Sequence, residues 1–348
     1  MDVGLMVFSG AMEPTVAEEY ARLLSIAKKA DDLGIGAIWL PERHLTRFGA
    51  PYPNPLMMLS ALAGCTSRIR LRAGSAVAPL HDPVALAENL SVLDNLSQGR
   101  AGVAFASGWH PNDFIYRPEN YRSRHDILFE NVATVLDLWR GGTLARPNGV
   151  GEECEVRLSP SPFSRNSIPV YVTAAGSPET FERAGRIGTG ILTHVLGGDT
   201  AKLASFIKRY RTAFREAGHD PAESRVVVML HTYLAPTQEK ADAHAAGPFR
   251  EYLKSIAPLG KNLAEARSRS IDLDQLTESQ LERFADMQYK RLTQGKALIG
   301  TAGKAAQTAR EFAELGVDEI ACLVDFGIAG QRVEGQLEYI AELATELQ

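Results

Sequence analysis

The sequence predicts an α/β fold: a single (β/α)₈ TIM barrel over residues 1–348, with a helical insertion before the last strand. Short aliphatic or β-branched runs alternate with longer amphipathic runs, as in repeated strand–helix units around a parallel sheet. Eight strand candidates occur in one chain, which favours one closed barrel over two domains. The pattern alone leaves an open, doubly wound sheet as the alternative.

The strand candidates are short and aliphatic, and helices are predicted between them. Thr15 and Glu18 form a capping box for a first helix that ends at Gly34. Asp82 supplies the N-cap and Pro83 the first residue of another helix. The predicted strands are 3–8, 37–40, 69–73, 101–105, 169–172, 190–192, 225–234 and 318–324, and further helices are predicted at 56–65, 124–140, 201–217, 304–315 and 333–347.

Two segments interrupt the strand–helix rhythm. Residues 141–166 contain several Gly and Pro residues and are predicted to form a loop or a hairpin insertion. Residues 237–296 are polar and wholly helical in pattern, and are too long for a plain connection. We expect this second insertion to form a lid over the active-site face of the barrel.

Composition and charge exclude several classes of protein. The formal net charge is −5 and no polybasic run occurs, so nucleic acid and anionic membranes are poor partners. No apolar run reaches the roughly 18 residues of a membrane span, and the first residues lack a signal-peptide pattern. The three cysteines lie far apart without metal-ligand spacing. We therefore expect a cytoplasmic protein with reduced thiols and no metal site.

Functional residues of such a barrel follow the carboxyl ends of its strands. After the second predicted strand come Glu42, Arg43 and His44, a carboxylate, a guanidinium and an imidazole that suit acid–base chemistry. An ion pair that orders the following loop explains these three residues equally well.

Small residues follow the third and fourth predicted strands. Gly74, Ser75 and Ala76 let a flat ligand approach the backbone, although tight packing at the rim is slightly favoured on local grounds. Ala106 and Ser107 precede Trp109 and His110 in the same way, and a Trp is more often part of the core than a ligand platform.

The fifth and sixth strands also end in candidate ligand groups. Ala175, Gly176 and Ser177 open a helix, where backbone amides can bind a phosphate, and Ser177 can also act as the N-cap. His194 ends the sixth strand, and a lone histidine at a rim is more often structural than catalytic.

Together these segments resemble the bacterial luciferase-like family over essentially the whole chain. The forms at 41–44, 107–114 and 174–180 resemble one branch, the monooxygenases found with polyketide and nonribosomal-peptide assembly lines. The segments that carry the likeness are 38–44, 73–79, 82–84, 94–100, 105–110, 112–114, 124, 169–177, 298–301 and 316–320.

The resemblance implies a flavin-dependent oxygenation. Reduced FMN is expected across the strand ends, where oxygen adds to the flavin 4a carbon and the hydroperoxide oxidises a substrate. A non-prolyl cis peptide is expected at Gly74–Ser75 or Ser75–Ala76. No GxGxxG motif follows a strand. We therefore expect reduced FMN to come from a separate flavin reductase.

The resemblance also assigns catalytic and substrate residues. His44 takes the place of the family's reactive imidazole, while Arg43 stands where luciferase has the first of two histidines, and Glu42 and His110 join them as catalytic candidates. Trp109 and His194 are expected to line the substrate pocket.

The remaining transferred residues concern the flavin. Ser107 stands where luciferase has a phosphate-binding Arg, so Arg124 is expected to supply the charge together with the amides of Gly176 and Ser177. Ala175 replaces a Glu of the family at this site, and Ala106 leaves room beside the reactive flavin carbon. Gly74, Ser75 and Ala76 complete the cofactor-binding set.

Two other functions remain open at this point. A deazaflavin-dependent enzyme that transfers hydride shares the barrel and many of these signals, and some family members bind flavin without turnover. The substrate is expected to be a small molecule or an intermediate tethered to a carrier protein. Hydroxylation, N-oxygenation and Baeyer–Villiger insertion are all compatible with the sequence. A homodimer is expected by analogy with related barrels.

Overall fold

The computed structural model describes residues 1–8, 15–45, 51–165, 167–174, 176–195, 199–256 and 277–348. Its main sheet contains strands β1 (Asp2–Met6), β2 (Ala37–Leu40), β3 (Arg70–Val77), β4 (Ala101–Ala106), β7 (Val170–Thr173), β8 (Gly190–His194), β9 (Val226–Leu234), β10 (Leu298–Gly300) and β11 (Glu319–Leu323). A separate antiparallel hairpin consists of β5 (Leu144–Pro147) and β6 (Glu153–Val156).

Eight of these strands close into a barrel, which confirms the predicted fold. The pairing runs β1–β2–β3–β4–β7–β8–β9–β11 and returns from β11 to β1, and every pair in the ring is parallel. The helices that the structure describes connect the strands. They are α1 (Val16–Asp32), α2 (Pro55–Ala63), α3 (Pro83–Ser97), α4 (Arg124–Trp139), α5 (Pro178–Arg186), α6 (Thr200–Glu216), α7 (Gln238–Ile256), α8 (Glu278–Thr293), α9 (Ala302–Glu314) and α10 (Gly330–Glu346).

The predicted helix start signals are present. The Thr15 hydroxyl accepts the Glu18 amide proton, and the Glu18 carboxylate accepts that of Thr15, which completes the capping box of α1. The Asp82 carboxylate caps α3 by accepting the Val84 amide proton at 2.8 Å. Within 237–296 the structure describes two helices, α7 and α8, while residues 257–276 lie outside the described part of the chain.

Three strand predictions needed correction. The third strand does not end at Ala73, because β3 continues to Val77 through a register shift between Gly74 and Ala76. His194 is the last residue of β8, as expected, and only the predicted range 190–192 was too short. The short strand β10 was not predicted; it pairs with the carboxyl end of β9 outside the ring.

Large polar side chains fill the amino end of the barrel interior. Trp39 donates to the Glu319 carboxylate at 3.0 Å, and Arg72 donates to its other oxygen at 2.7 Å. The Tyr171 ring meets the Trp39 ring edge-on, with centroids 5.3 Å apart. A Cβ at Gly190 would overlap Tyr171, so glycine provides the space for this layer. These side chains fill the barrel interior at the amino end of the strands, so a ligand site is expected at the carboxyl end.

A cavity of about 490 Å³ lies at the opposite, amino end of the barrel. Its lining includes Arg70, Arg225, Asp2 and Asp318, which belong to the amino ends of strands and their connections. No helix in the described ranges is long and apolar enough to cross a membrane.

Candidate active site

The carboxyl end of the barrel opens into a mouth lined by small side chains. Ser75 of β3 and Thr173 of β7 are separated by β4, yet their hydroxyl oxygens lie 2.5 Å apart, so both face the barrel interior. Ser75, Thr173 and Ala106 are half-buried, although helices cover the outer face of the barrel. Their partial exposure therefore indicates open space at the carboxyl end of the barrel. We call the surface formed by these three residues the floor of the mouth. A flat ligand can lie here against small side chains and backbone.

The expected cis peptide is present at this floor. It is the Gly74–Ser75 bond. A Cβ at Gly74 would lie 2.9 Å from a ring carbon of Trp39 and 3.2 Å from the Met6 methyl group. Glycine is therefore needed where β3 passes over the Trp39 ring.

Glu42 lies at the centre of a buried hydrogen-bond cluster beside the mouth. Its Oε1 atom lies 2.7 Å from His44 Nε2 and 2.6 Å from His81 Nε2. Its Oε2 atom accepts the Val77 amide proton at 2.6 Å. Its own amide donates to the Ser75 carbonyl at 2.9 Å, next to the cis peptide. The carboxylate is thus held from the backbone of β3 and orients two imidazoles.

The electrostatics of the cluster favour an ionised Glu42. Burial alone would raise the pKa of this carboxyl, but hydrogen bonds from His44, His81 and the Val77 amide outweigh burial and lower the pKa. A carboxylate only accepts hydrogen bonds, so each imidazole turns an Nε2–H group toward it. The basic nitrogen of neutral His44 is then Nδ1. That atom is buried and forms no hydrogen bond within the described ranges.

A second cluster combines Arg43, Trp109, His110 and Asp113. The Arg43 guanidinium lies 4.8 Å from the Trp109 ring centre and 3.9 Å from the Asp113 carboxylate. The Trp109 and His110 rings meet edge-on at 5.3 Å, and His110 Nδ1 lies 3.9 Å from Asp113. Arg43 and Asp113 form an ion pair, so the ion-pair interpretation of this segment applies to Arg43, while Glu42 binds histidines instead.

Burial dominates the protonation of this second cluster. It lowers the pKa of His110, with Arg43 acting in the same direction and Asp113 opposing both. Burial raises the pKa of Asp113 despite the nearby Arg43. At neutral pH, His110 is therefore a neutral imidazole that can accept or donate one hydrogen bond.

Among the predicted phosphate-binding residues, Arg124 contacts the turn that contains Ser107. Arg124 begins α4, and its Nε donates to the Gly108 carbonyl at 3.2 Å, directly after Ser107. Arg183 of α5 pairs with Asp126 of α4 at 2.9 Å, which holds the first turn of α4 against α5.

The start of α5 leaves its capping serine available. Ser177 occupies the N-cap position without a side-chain capping hydrogen bond. Gly176 has a φ of 119°, a conformation that favours glycine. Ala175 lies outside the described residues. Pro178 has no N–H group, so the Ser177 hydroxyl and the amides that follow Pro178 are the donors that an anion can use at this position.

A histidine that the sequence analysis missed lies on the far side of the mouth. His231 of β9 lies beneath α7, with its ring centre 4.6 Å from that of Phe249 and 5.3 Å from that of Tyr252. Its Nε2 atom is buried without a hydrogen bond in the described ranges. Burial, reinforced by His194 on the adjacent strand, lowers the pKa of His231 to about 3. His231 is neutral at physiological pH.

The predicted residues thus form three groups that follow the carboxyl ends of barrel strands. Glu42 and His44 form the first group, Arg43, Trp109 and His110 the second, and the α4–α5 residues the third. His194 lies apart from them, beside His231. His81 and Asp113 join the first two groups without having been selected from the sequence. Their only sequence signal is their place in the segments that follow the third and fourth strands.

Comparison with protein families identifies a match over most of the chain. The family model described as luciferase-like monooxygenase matches residues 1–319. One relative is the oxygenase component of a flavin-dependent trigonelline monooxygenase from Acinetobacter baylyi. It is 24% identical over 329 residues, which cover 94% of this chain and 89% of that protein.

Two solved structures share the architecture. The oxygenating constituent of 3,6-diketocamphane monooxygenase from a Pseudomonas putida plasmid, in complex with FMN, has a TM-score of 0.78 and 18% identity, covering 100% of this chain and 99% of that one. An F420-dependent secondary alcohol dehydrogenase has a TM-score of 0.75 and 17% identity, with the same coverage. At these identities both comparisons establish the barrel fold alone.

Proposed function

The chain belongs to the luciferase-like monooxygenase family, and on that basis we propose that it is the oxygenase of a two-component system. It takes reduced FMN from a separate reductase and transfers one oxygen atom of O₂ to an organic substrate. The observation that carries this proposal is the buried Glu42–His44 pair beside an open mouth with a small-residue floor. The pair also argues against a flavin carrier without turnover, since carriage alone does not require an oriented base.

The residues around the mouth fit FMN. Ser75, Ala106 and Thr173 leave room for a flat ring system at the floor. A Cβ at Gly108 would lie 2.8 Å from Phe114, so the backbone after β4 is held close to its neighbours. His44 Nδ1 and His110 Nδ1 are buried and lack hydrogen bonds within the described ranges, as expected for groups that bind a ligand. Gly74 and Ala76 complete the strand segment that borders the floor.

The phosphate group of FMN is assigned to the α4–α5 side. Arg124 supplies the positive charge, and Ser107, Gly176 and Ser177 supply hydroxyl or amide donors. Ala175 remains assigned by resemblance only.

His44 handles the proton in this proposal. Bound reduced FMN supplies the electrons that activate O₂. Glu42 fixes the His44 ring through Nε2 and stabilises a positive charge on it, so Nδ1 can take a proton from the substrate side and return it. Arg43 lies 3.9 Å from the Asp113 carboxylate and balances its negative charge. Neutral His110 supplies a second hydrogen-bonding group.

The substrate is assigned to the side of the mouth between Trp109 and His231. Polar and aromatic groups there come from three half-buried residues, His194, His231 and Trp109. Phe249 and Tyr252 show that α7 packs against this end of the barrel, which supports a role for 237–296 as a lid. The branch resemblance supports a natural-product intermediate tethered to a carrier protein as substrate.

Two further expectations concern assembly and location. Leu24, Met57, Val92 and Leu96 on α1–α3 are exposed apolar side chains, which supports a homodimer through these helices. Gel filtration with light scattering measures this directly. A cytoplasmic location stays a prediction.

An anaerobic binding experiment tests the cofactor assignment. Purified protein is titrated with reduced FMN and, separately, with a reduced deazaflavin, and binding is followed by tryptophan fluorescence. Tighter binding of FMN is expected. Tighter binding of the deazaflavin, with substrate reduction that consumes no oxygen, would instead support hydride transfer, which the barrel shared with the F420-dependent dehydrogenase favours as the second candidate.

A separate experiment tests the carrier-tethered substrate. Product formation is compared for an acyl group on a carrier protein and for the same acyl group on a short thiol. Faster turnover of the carrier-bound form is expected. Equal rates for every acyl group tried would remove the carrier from the proposal and leave a free small molecule as substrate.

A further inference from the structure

His81 is a half-buried partner of the active-site carboxylate, and no role has yet been given to it. It follows the 3₁₀ turn Ala78–Leu80 at the end of β3. Its Nε2 atom lies 2.6 Å from Glu42 Oε1, the same oxygen that lies 2.7 Å from His44 Nε2. Two imidazoles therefore share one oxygen atom of one carboxylate.

The three side chains differ in their access to solvent. The exposed fraction is 0% for the side chain of Glu42, 8% for that of His44 and 34% for that of His81. His81 is thus the member of the group that exchanges protons with bulk water. Its backbone is held in place, because Asn131 of α4 donates to the carbonyl groups of Ala78 and His81 at 2.9 and 3.4 Å.

The charged groups around His81 leave Glu42 as its dominant electrostatic partner. Asp82 follows His81 in the chain, but its carboxylate pairs with Arg146 of β5 at 2.6 Å. The polar contact from α4 comes from the neutral Asn131. Asp113, on the turn after β4, acts on His44 rather than on His81.

We propose that His81 is a positioning residue that controls the protonation of His44 through the shared oxygen of Glu42. One negative charge serves two imidazoles. When His81 is protonated, it compensates the Glu42 charge and leaves less of it to stabilise a positive His44. When His81 is neutral, the full carboxylate charge acts on His44, and low solvent access keeps that interaction strong.

The protonation behaviour of His81 agrees with this arrangement. Burial lowers the pKa of His81, but the hydrogen bond and the charge of Glu42 outweigh burial and raise the pKa above its ordinary value of 6.5. His81 therefore keeps its proton to a higher pH than a free imidazole does.

NMR titration of the flavin-free protein tests the coupling. The ring C–H signals of His44 should move in two steps, one of which coincides with the titration of His81. His81→Gln retains an N–H donor toward Glu42 without a titration, and should leave a single His44 step. His219→Gln changes a half-buried histidine outside this group and should leave both steps. A single step in the unaltered protein, or two steps in His81→Gln, would overturn the proposal.

A pH profile of oxygenation tests the catalytic consequence, which rests on the proposed function. The acidic limb of the activity profile should follow two titrations in the unaltered enzyme and one in His81→Gln, and the activities of the two enzymes should converge at high pH. Loss of activity at all pH values would instead indicate a merely structural His81. The NMR result is independent of flavin, so failure of oxygenation with intact coupling would contradict only the proposed function.

Discussion

Replacement of Glu42 by glutamine is the most direct perturbation of the buried cluster. The change keeps the shape of the side chain and removes its charge. If the amide oxygen serves His44 and His81, the amide NH₂ group must face the Val77 amide proton, which now lies 2.6 Å from Oε2. The glutamine NH₂ group and the Val77 N–H group are then two buried donors that face each other. If the amide is rotated by 180°, its NH₂ group instead faces the N–H groups of the two imidazoles.

The size of the effect follows from these contacts. An unsatisfied buried donor costs about 1–3 kcal/mol, and two charge-assisted hydrogen bonds each weaken by about 1 kcal/mol when the acceptor becomes neutral. Glutamine has no charge, so the variant avoids the cost of burying a carboxylate, and this offsets part of the loss. The pKa of Glu42 is lowered all the same, so the hydrogen bonds outweigh burial. We expect Glu42→Gln to reduce the free energy of unfolding by about 2–4 kcal/mol.

Urea unfolding of the flavin-free protein at pH 7, followed by the fluorescence of its three tryptophans, measures this loss. Glu88→Gln is a matched control, because Glu88 is exposed on α3, and should change stability by less than about 0.5 kcal/mol. A Glu42→Gln protein within about 1 kcal/mol of the unaltered one would refute the account of the cluster.

Three further predictions concern pH and the other groups around the mouth. Glu42 has a lowered pKa in the folded state, so its charge stabilises the protein above the ordinary Glu pKa of 4.5. The difference in free energy of unfolding between the unaltered protein and Glu42→Gln should therefore become smaller as the pH falls through the folded-state pKa of Glu42. A difference that widens with acid would contradict this sign. His231 titrates at about 3 when folded and near 6.5 when unfolded, so it costs stability as the pH falls below 6.5, by up to about 1.4 kcal/mol per pH unit. His231→Leu should therefore show a shallower loss of stability between pH 7 and 5 in urea unfolding, and parallel curves for the two proteins would count against a buried neutral imidazole. Arg124→Met should weaken binding of reduced FMN by about tenfold in anaerobic titration, as expected for loss of a charge-assisted hydrogen bond. Arg122 is an exposed neighbour, so Arg122→Met should leave the affinity unchanged. Equal affinities of the two variants for reduced FMN would show that the phosphate site lies elsewhere.

Much of the barrel was predictable because its signals are local. The capping box at Thr15 and the Asp82–Pro83 start depend on neighbouring residues, and both are present as predicted. The strands depend on aliphatic runs that the chain repeats. The end of β3 was not predictable in this way, since the irregularity between Gly74 and Ala76 has no signature in hydrophobic periodicity. Strand β10 has three residues, too few for a pattern.

The sequence indicates which segments contribute to the site, but it does not indicate which side chains contact each other. Glu42, Arg43 and His44 are adjacent in the chain, yet the structure divides them between two clusters, because successive side chains after β2 point in different directions. His81 binds Glu42 from 39 residues away, and only the folded backbone of β3 brings them together. His231 was missed because nothing in the sequence indicates which face of β9 points into the barrel mouth.

The central claim is that reduced FMN binds at this mouth and reacts there with oxygen. The most direct measurement mixes the anaerobic complex of protein and reduced FMN rapidly with oxygenated buffer, and follows oxygen consumption and oxidised-flavin absorbance together. The account predicts that oxygen is consumed first and that oxidised flavin appears after a delay that free reduced FMN does not show. Oxidised flavin that appears without delay, at the rate of free reduced FMN, would contradict it.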